Sequence, residues 1–123
     1  MQIASSFHNY RFEDLEVWRL SLKIVHQAYL VGGQFPKTEI FSLTDQLKRA
    51  ATSIALNIAE GSGQPTTKGF RVYIHRAKSS AIECVAALKI AAQENFAHHS
   101  EIDELQKLLK EIYFKLIALN KSI

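Results

Sequence analysis

Apolar side chains recur at intervals of three and four along four stretches of this chain, the period of helices that bury one face. The first stretch predicts a helix from an N-cap at Asp14 to Val31, stopped by Gly32 and Gly33. The second predicts a helix over about residues 43–60, capped by Ser42 or Thr44, with Leu43, Leu47, Ala50, Ile54 and Ile58 as its core stripe. Gly61 and Gly63 read as its stop, because glycine accepts the left-handed conformation at little cost. The third begins after Pro65, capped by Thr66 or Thr67, and runs to about Gln93. Its stripe is Phe70, Tyr73, Ile74, Ala77, Ala81, Cys84, Val85, Leu88 and Ala92. The fourth opens near Ser100, where SEID has the form of a capping box, and carries Ile102, Leu105, Leu108, Leu109, Ile112, Leu116 and Leu119. No strand-like alternation, repeat or low-complexity tract interrupts the pattern. Four amphipathic helices with short connections predict an all-α, up-down-up-down antiparallel four-helix bundle over residues 12–123, behind a flexible N-terminal segment, 1–11.

The first helix has more apolar surface than one bundle core needs. Leu15, Trp18, Leu22, Val25 and Tyr29 share one face, and Val17, Leu20, Ile24, Ala28 and Val31 share another. The second apolar face predicts a partner, most simply another copy of the same chain.

Composition adds bounds. The 123 residues suit one domain, and 47% hydrophobic with 22% charged residues excludes wholesale disorder. Cys84 is the single cysteine, so no disulfide framework exists. The N-terminus lacks the apolar run of a signal peptide, and no long apolar stretch suits a membrane span. A soluble, cytoplasmic protein without a membrane role is expected. Lys and Arg total 15 against 12 Asp and Glu, a mild basicity that permits nucleic acid without demanding it.

The stretch RAATSIALNIAEGSG, residues 49–63, is small and apolar but places polar groups at intervals of three and four. Gln46, Arg49, Ser53, Asn57 and Glu60 fall within an arc of roughly 80° bordering the core stripe. Arg76, Ser80 and Glu83 on the third helix form a matching set. Buried charges need partners, so Arg49 or Arg76 is expected to pair with Glu60 or Glu83 in a network that fixes helix register.

Catalysis is poorly supported. Ser53 has no His or Lys on its helix face to activate it, and Glu60 with Glu83 lacks a nucleophile elbow or metal set. GSG at 61–63 follows a helix and is no phosphate loop. His98 and His99 are adjacent in a loop beside Glu101, with no ligand spacing around them, and Cys84 reads as a buried hydrophobe. No catalytic residue, metal or cofactor is expected.

The most informative functional signal is basic. Lys68, Arg71, His75 and Lys78 share an arc of roughly 80° on the third helix, and Arg19, Lys23, Lys48 and Arg49 add charge on the first two. Such a stripe can track phosphates without reading sequence. The fourth helix sets Glu101, Glu104 and Glu111 beside its lysines and looks mixed.

FEDLEVWRLSLKIV, FPKTEIFSLTDQLKRAATSIALNIAEGSG and FRVYIHRAKSSAIECVAALKIA resemble, in order and spacing, the four-helix-bundle proteins encoded in intervening sequences of bacterial 23S ribosomal RNA genes. NIAEG at 57–61, following QLKRA, is specific to that family; the fourth helix matches only in character. The resemblance implies a ring-shaped homopentamer with a positively charged surface, no established enzymatic activity, and suspected nucleic-acid binding. A more distant relative serves as an accessory subunit of a reverse transcriptase in diversity-generating retroelements. The family's motif positions here are Trp18, Gln46, Arg49, Ser53, Asn57, Glu60, Gly61 and Glu83. Ser79-Ser80 stands where members often carry Gly-Ser, and Cys84 where a Leu is usual.

The expectation is a non-enzymatic homo-oligomer that binds structured RNA or DNA through phosphates. The alternative is a protein-interaction scaffold or accessory subunit of a reverse transcriptase or rRNA-processing complex. A hydrolase using Glu60 and Glu83 is the remote third.

Overall fold

The computed structural model describes residues 10–123; of the segment 1–11, residues 1–9 lie outside the described residues. A 3-10 turn, Arg11–Asp14, leads into α1 (Glu16–Gly32). A second 3-10 turn, Lys37–Glu39, precedes α2 (Leu43–Ser62), then α3 (Thr67–Gln93) and α4 (His99–Ser122). Each helix packs on two neighbours: α1 and α3 both touch α2 and α4, and no diagonal pair meets. Neighbours run antiparallel, giving an up-down-up-down bundle with a square cross-section.

The predicted stripes line the core. Ile24, Leu47, Ile54, Ile58, Ile74, Leu88, Leu105, Leu109, Ile112 and Leu116 are all under 2% exposed. Burying each such side chain stabilises the fold by about 1.5–3 kcal/mol before conformational entropy is counted.

Starts and stops depart from the sequence reading. Asp14 is drawn into the 3-10 turn, so Leu15 becomes the N-cap of α1 without a side-chain bond. Ser42 caps α2 by position alone, whereas Thr66 Oγ1 accepts the Gly69 N–H at 3.0 Å. At α4 the cap position is His98, so Ser100 and Asp103 lie inside the helix and SEID is not a capping box. The His98 N–H instead donates to Gln34 Oε1 at 3.1 Å, and the Gln34 amide donates to Glu101. That pair fastens the α1–α2 connection to the start of α4.

The glycines do not act as left-handed stops. Gly33 (φ −66°) and Gly63 (φ −87°) both end their helices in right-handed geometry. Gly61 is inside α2, where a Cβ would stand 2.8 Å from Tyr73 Cβ and 2.9 Å from Phe70 Cδ1. It is needed for the close approach of α2 to α3. Among the described non-glycine residues, the left-handed one is Asn95, φ 58°, just past α3. Its N–H bonds to Ala92 O and that of Phe96 to Ala91 O, a Schellman closure, and Phe96 packs on Phe35.

Three of the five residues on the second apolar face of α1 are covered within the chain. Leu15, Trp18 and Val25 pack against the core, and Phe12 meets Trp18 edge-on at 4.6 Å. Leu22 and Tyr29 remain about half exposed, at 47% and 50%.

Candidate nucleic-acid interface

The polar stripe of α2 meets α3 through hydroxyls and amides. Ser53 Oγ accepts from Ser80 Oγ at 2.9 Å and from Asn57 Nδ2 at 2.9 Å, and Asn57 also donates to the Ser53 carbonyl. Further along, Gln46 Nε2 donates to Glu83 Oε2 at 3.5 Å. The expected Arg–Glu pair is not there. Arg49 lies 3.9 Å from Asp45 on its own helix with its side chain 80% exposed, and the Arg76 guanidinium sits over the Tyr73 ring at 4.8 Å. Glu60 and Glu83 are exposed, so water solvates them and no ion pair is imposed.

The basic residues divide into groups. Lys48 lies over the Tyr29 ring, its ammonium 5.0 Å from the centroid, and with Arg49 it borders an open groove of about 570 Å³ along α2. Asp45 and Glu60 line the same groove, which is therefore of mixed charge. Gly32 packs against Lys48, so antiparallel α1 carries Lys23 and Arg19 about 14 and 20 Å further along the bundle. The structure does not bring those four cations together.

Lys68, Arg71, His75 and Lys78 do share one line on α3. Arg71 is occupied by architecture: Nε donates to the Asn120 carbonyl at 3.4 Å and Nη2 to the backbone oxygen of Ile123 at 2.9 Å. A cation there suits the negative end of α4. His75 and Lys68 stand exposed.

At steps of three and four the same line continues through Ile82 and Val85 to Lys89. There it borders a groove of about 480 Å³ between α3 and α4. Ala81, Val85 and Leu109 form the apolar floor, and Lys107, Lys110, Asp103, Gln106 and Tyr113 belong to the α4 wall. Among the described residues, Lys89, Lys107 and Lys110 have no acidic partner within ion-pair distance. Asp103 is the one α4 acid in the groove lining, and two others are engaged elsewhere. Glu101 engages Gln34, and Glu111 and Glu16 flank Lys115, whose ammonium its hydrogen bond to Glu16 at 2.7 Å holds above the ordinary lysine range. The groove wall of α4 thus carries two lysines to one aspartate, while Glu101 and Glu111 lie outside it. Sequence reasoning missed Lys107 and Lys110 because glutamates alternate with them along α4. The phase set by Leu105, Leu109 and Ile112 was the signal that separates them from Glu101 and Glu111. Lys89 was missed because Ile82 and Val85 part it from Lys78 on the α3 line.

Among the described residues, neither Ser53 nor Cys84 is an activated nucleophile. The Ser53 hydroxyl is held between Asn57 and Ser80. Burial pushes the Cys84 thiol up to about 12, with the Glu83 charge adding to it, so the residue stays protonated and inert. His99 contacts Asn95 Oδ1, and the described residues contain no group of three or more His, Cys, Asp or Glu able to hold a metal ion. No described helix is long and apolar enough to cross a membrane.

The sequence profile of the family described as 23S rRNA-intervening sequence protein matches residues 13–118. Among solved structures, the chain is similar to a protein of unknown function from the S23 ribosomal protein family of Bacteroides thetaiotaomicron. The TM-score is 0.79 at 21% identity, over 85% of this chain and 98% of that one, a likeness of fold. No curated protein matches the chain.

Proposed function

The chain belongs to the 23S rRNA-intervening sequence protein family, and we propose that it is a non-enzymatic, homo-oligomeric protein of the cytoplasm that binds structured RNA or DNA through phosphate contacts. One observation carries this reading: Lys68, His75 and Lys78 of α3 lead in line to a groove bordered by Lys89, Lys107 and Lys110, none of them ion-paired among the described residues, against a single lining carboxylate, Asp103. Five lysines along one seam would release counterions from a nucleic acid and give sequence-independent affinity. Leu22, Tyr29 and Leu30 on α1 keep apolar surface for a second copy. A pentameric ring, which the family resemblance implies, would repeat the seam five times over and add avidity.

The second reading, a scaffold or accessory subunit of a reverse transcriptase or rRNA-processing complex, draws on Phe41. That ring is 96% exposed beside Ile40 in the α1–α2 connection, a knob suited to a protein pocket.

Fluorescence anisotropy with a labelled RNA hairpin separates the two. Lys78→Glu, Lys107→Glu and Lys110→Glu together are expected to weaken binding by about 100-fold or more without lowering Tm. Arg71 is left in place because it fastens α4. Unchanged affinity in the triple variant, or no binding by the natural protein at about 50 mM salt, would overturn the proposal and leave the scaffold reading.

A further inference from the structure

The α3–α4 groove has a cross-section that a duplex does not use. A double helix offers phosphates outside and keeps its bases stacked within, so lysines alone would serve it. Here the cations stand on the two rims, and between them lies apolar surface: Ala81, Val85 and Leu109 below, with Ile82 53% exposed at the edge. Tyr113 closes one end of the groove, half-buried, with the exposed Phe114 ring edge-on to it at 5.6 Å and 89°. Aromatic and apolar surface flanked by cations is the complement of an unpaired strand, whose base faces are apolar and whose backbone is anionic.

We infer that this groove takes an unpaired stretch of RNA or DNA, its bases against Ile82, Val85 and Tyr113 and its phosphates on Lys89, Lys107 and Lys110. The inference rests on the phosphate-binding reading and names the form of nucleic acid that the seam selects. Structured RNA then enters through a loop or an end, where unstacked bases are accessible. From Arg71 to Lys89 the seam runs about 27 Å along α3, long enough for several nucleotides. Asp103 shares the α4 wall with the lysines and disfavours a phosphate at its level, which limits the register of the strand.

The test uses the full chain and two labelled RNAs at one salt concentration: an unpaired oligonucleotide of about 12 nucleotides and a duplex of the same length. The single strand is expected to bind about tenfold tighter or more. Tyr113→Ala should weaken single-strand binding by about tenfold and leave duplex binding unchanged, while Tyr113→Phe, which keeps the ring, should bind like the natural protein. Ile82→Ser, which removes apolar surface at an exposed position without adding charge, carries the test if Tyr113→Ala lowers Tm, and it should weaken single-strand binding while leaving duplex binding unchanged. Equal or tighter duplex binding, or indifference of the single strand to the Ile82 and Tyr113 changes, would overturn this inference while leaving phosphate binding intact. Failure of both RNAs to bind would overturn both.

Discussion

Ser80 of α3 donates its hydroxyl hydrogen to Ser53 of α2 at 2.9 Å, and Asn57, one turn on, donates to the same oxygen. The α2–α3 seam is therefore registered by short neutral hydrogen bonds, with its charged neighbours left in water. Ser80→Ala should cost about 1 kcal/mol in urea unfolding, and Ser53→Ala somewhat more because both donors lose their acceptor. Replacing Glu60 and Glu83 by Gln should change stability by less than about 0.5 kcal/mol, since both are exposed. A loss of several kcal/mol in the double Gln variant would show a buried ion pair that the structure lacks.

Gly61 and Gly63 close the same stretch but should respond differently. Gly61→Ala drives a Cβ to within 3 Å of Phe70 and Tyr73, and the cost should be about 1–3 kcal/mol. Gly63, at φ −87° with no atom nearer than 3.6 Å to its missing Cβ, should accept Ala neutrally or gain about 0.4–1 kcal/mol. Thermal unfolding of the two variants decides it. Equal effects would mean that α2 and α3 are not in close contact at Gly61.

Cys84 gives a pH dependence of definite sign. Its thiol titrates near 9.0 when unfolded and near 12 when folded, so the folded state holds the proton more tightly. Below the unfolded value both states are protonated and the contribution is constant. Above it the unfolded chain releases the proton, and stability falls by about 1.4 kcal/mol per pH unit until the folded thiol titrates. Urea midpoints at about pH 8 and pH 10.5, compared with those of Cys84→Ala, isolate this slope from lysine and tyrosine titration. A native thiol that reacts with an aromatic disulfide reagent as fast as in denaturant would contradict it.

The helices were legible in the sequence because burial imposes a period of three and four, and Ile54, Ile74 and Leu105 obey it. Helix ends were less legible. Asp14 is a good cap by residue type, but Phe12 packing on Trp18 winds Asp14 into a 3-10 turn first. Gly61 was read as a turn residue because sequence shows that glycine is present, not which neighbour crowds it. The lysine rim escaped notice because Lys107 and Lys110 are interspersed with glutamates along α4. Only the phase of that helix against α3 and α1 carries Glu101 and Glu111 away from the groove, and it leaves Asp103 in it.

Self-association should respond to α1. Light scattering at micromolar concentration is expected to give a multiple of the 13.9 kDa chain mass, and Leu22→Glu with Tyr29→Glu should shift it to the monomer. These positions are half-exposed, so the isolated fold should tolerate both charges. A natural protein that is already monomeric would contradict the oligomeric reading.

The most direct test of the central claim is the salt dependence of RNA binding. If Lys78, Lys89, Lys107 and Lys110 neutralise phosphates, log K should fall linearly with log salt, and each lysine replaced by Gln should make the slope shallower by about 0.7–0.9. A slope near zero, or one unmoved when the groove lysines are removed, would contradict phosphate binding at the α3–α4 seam.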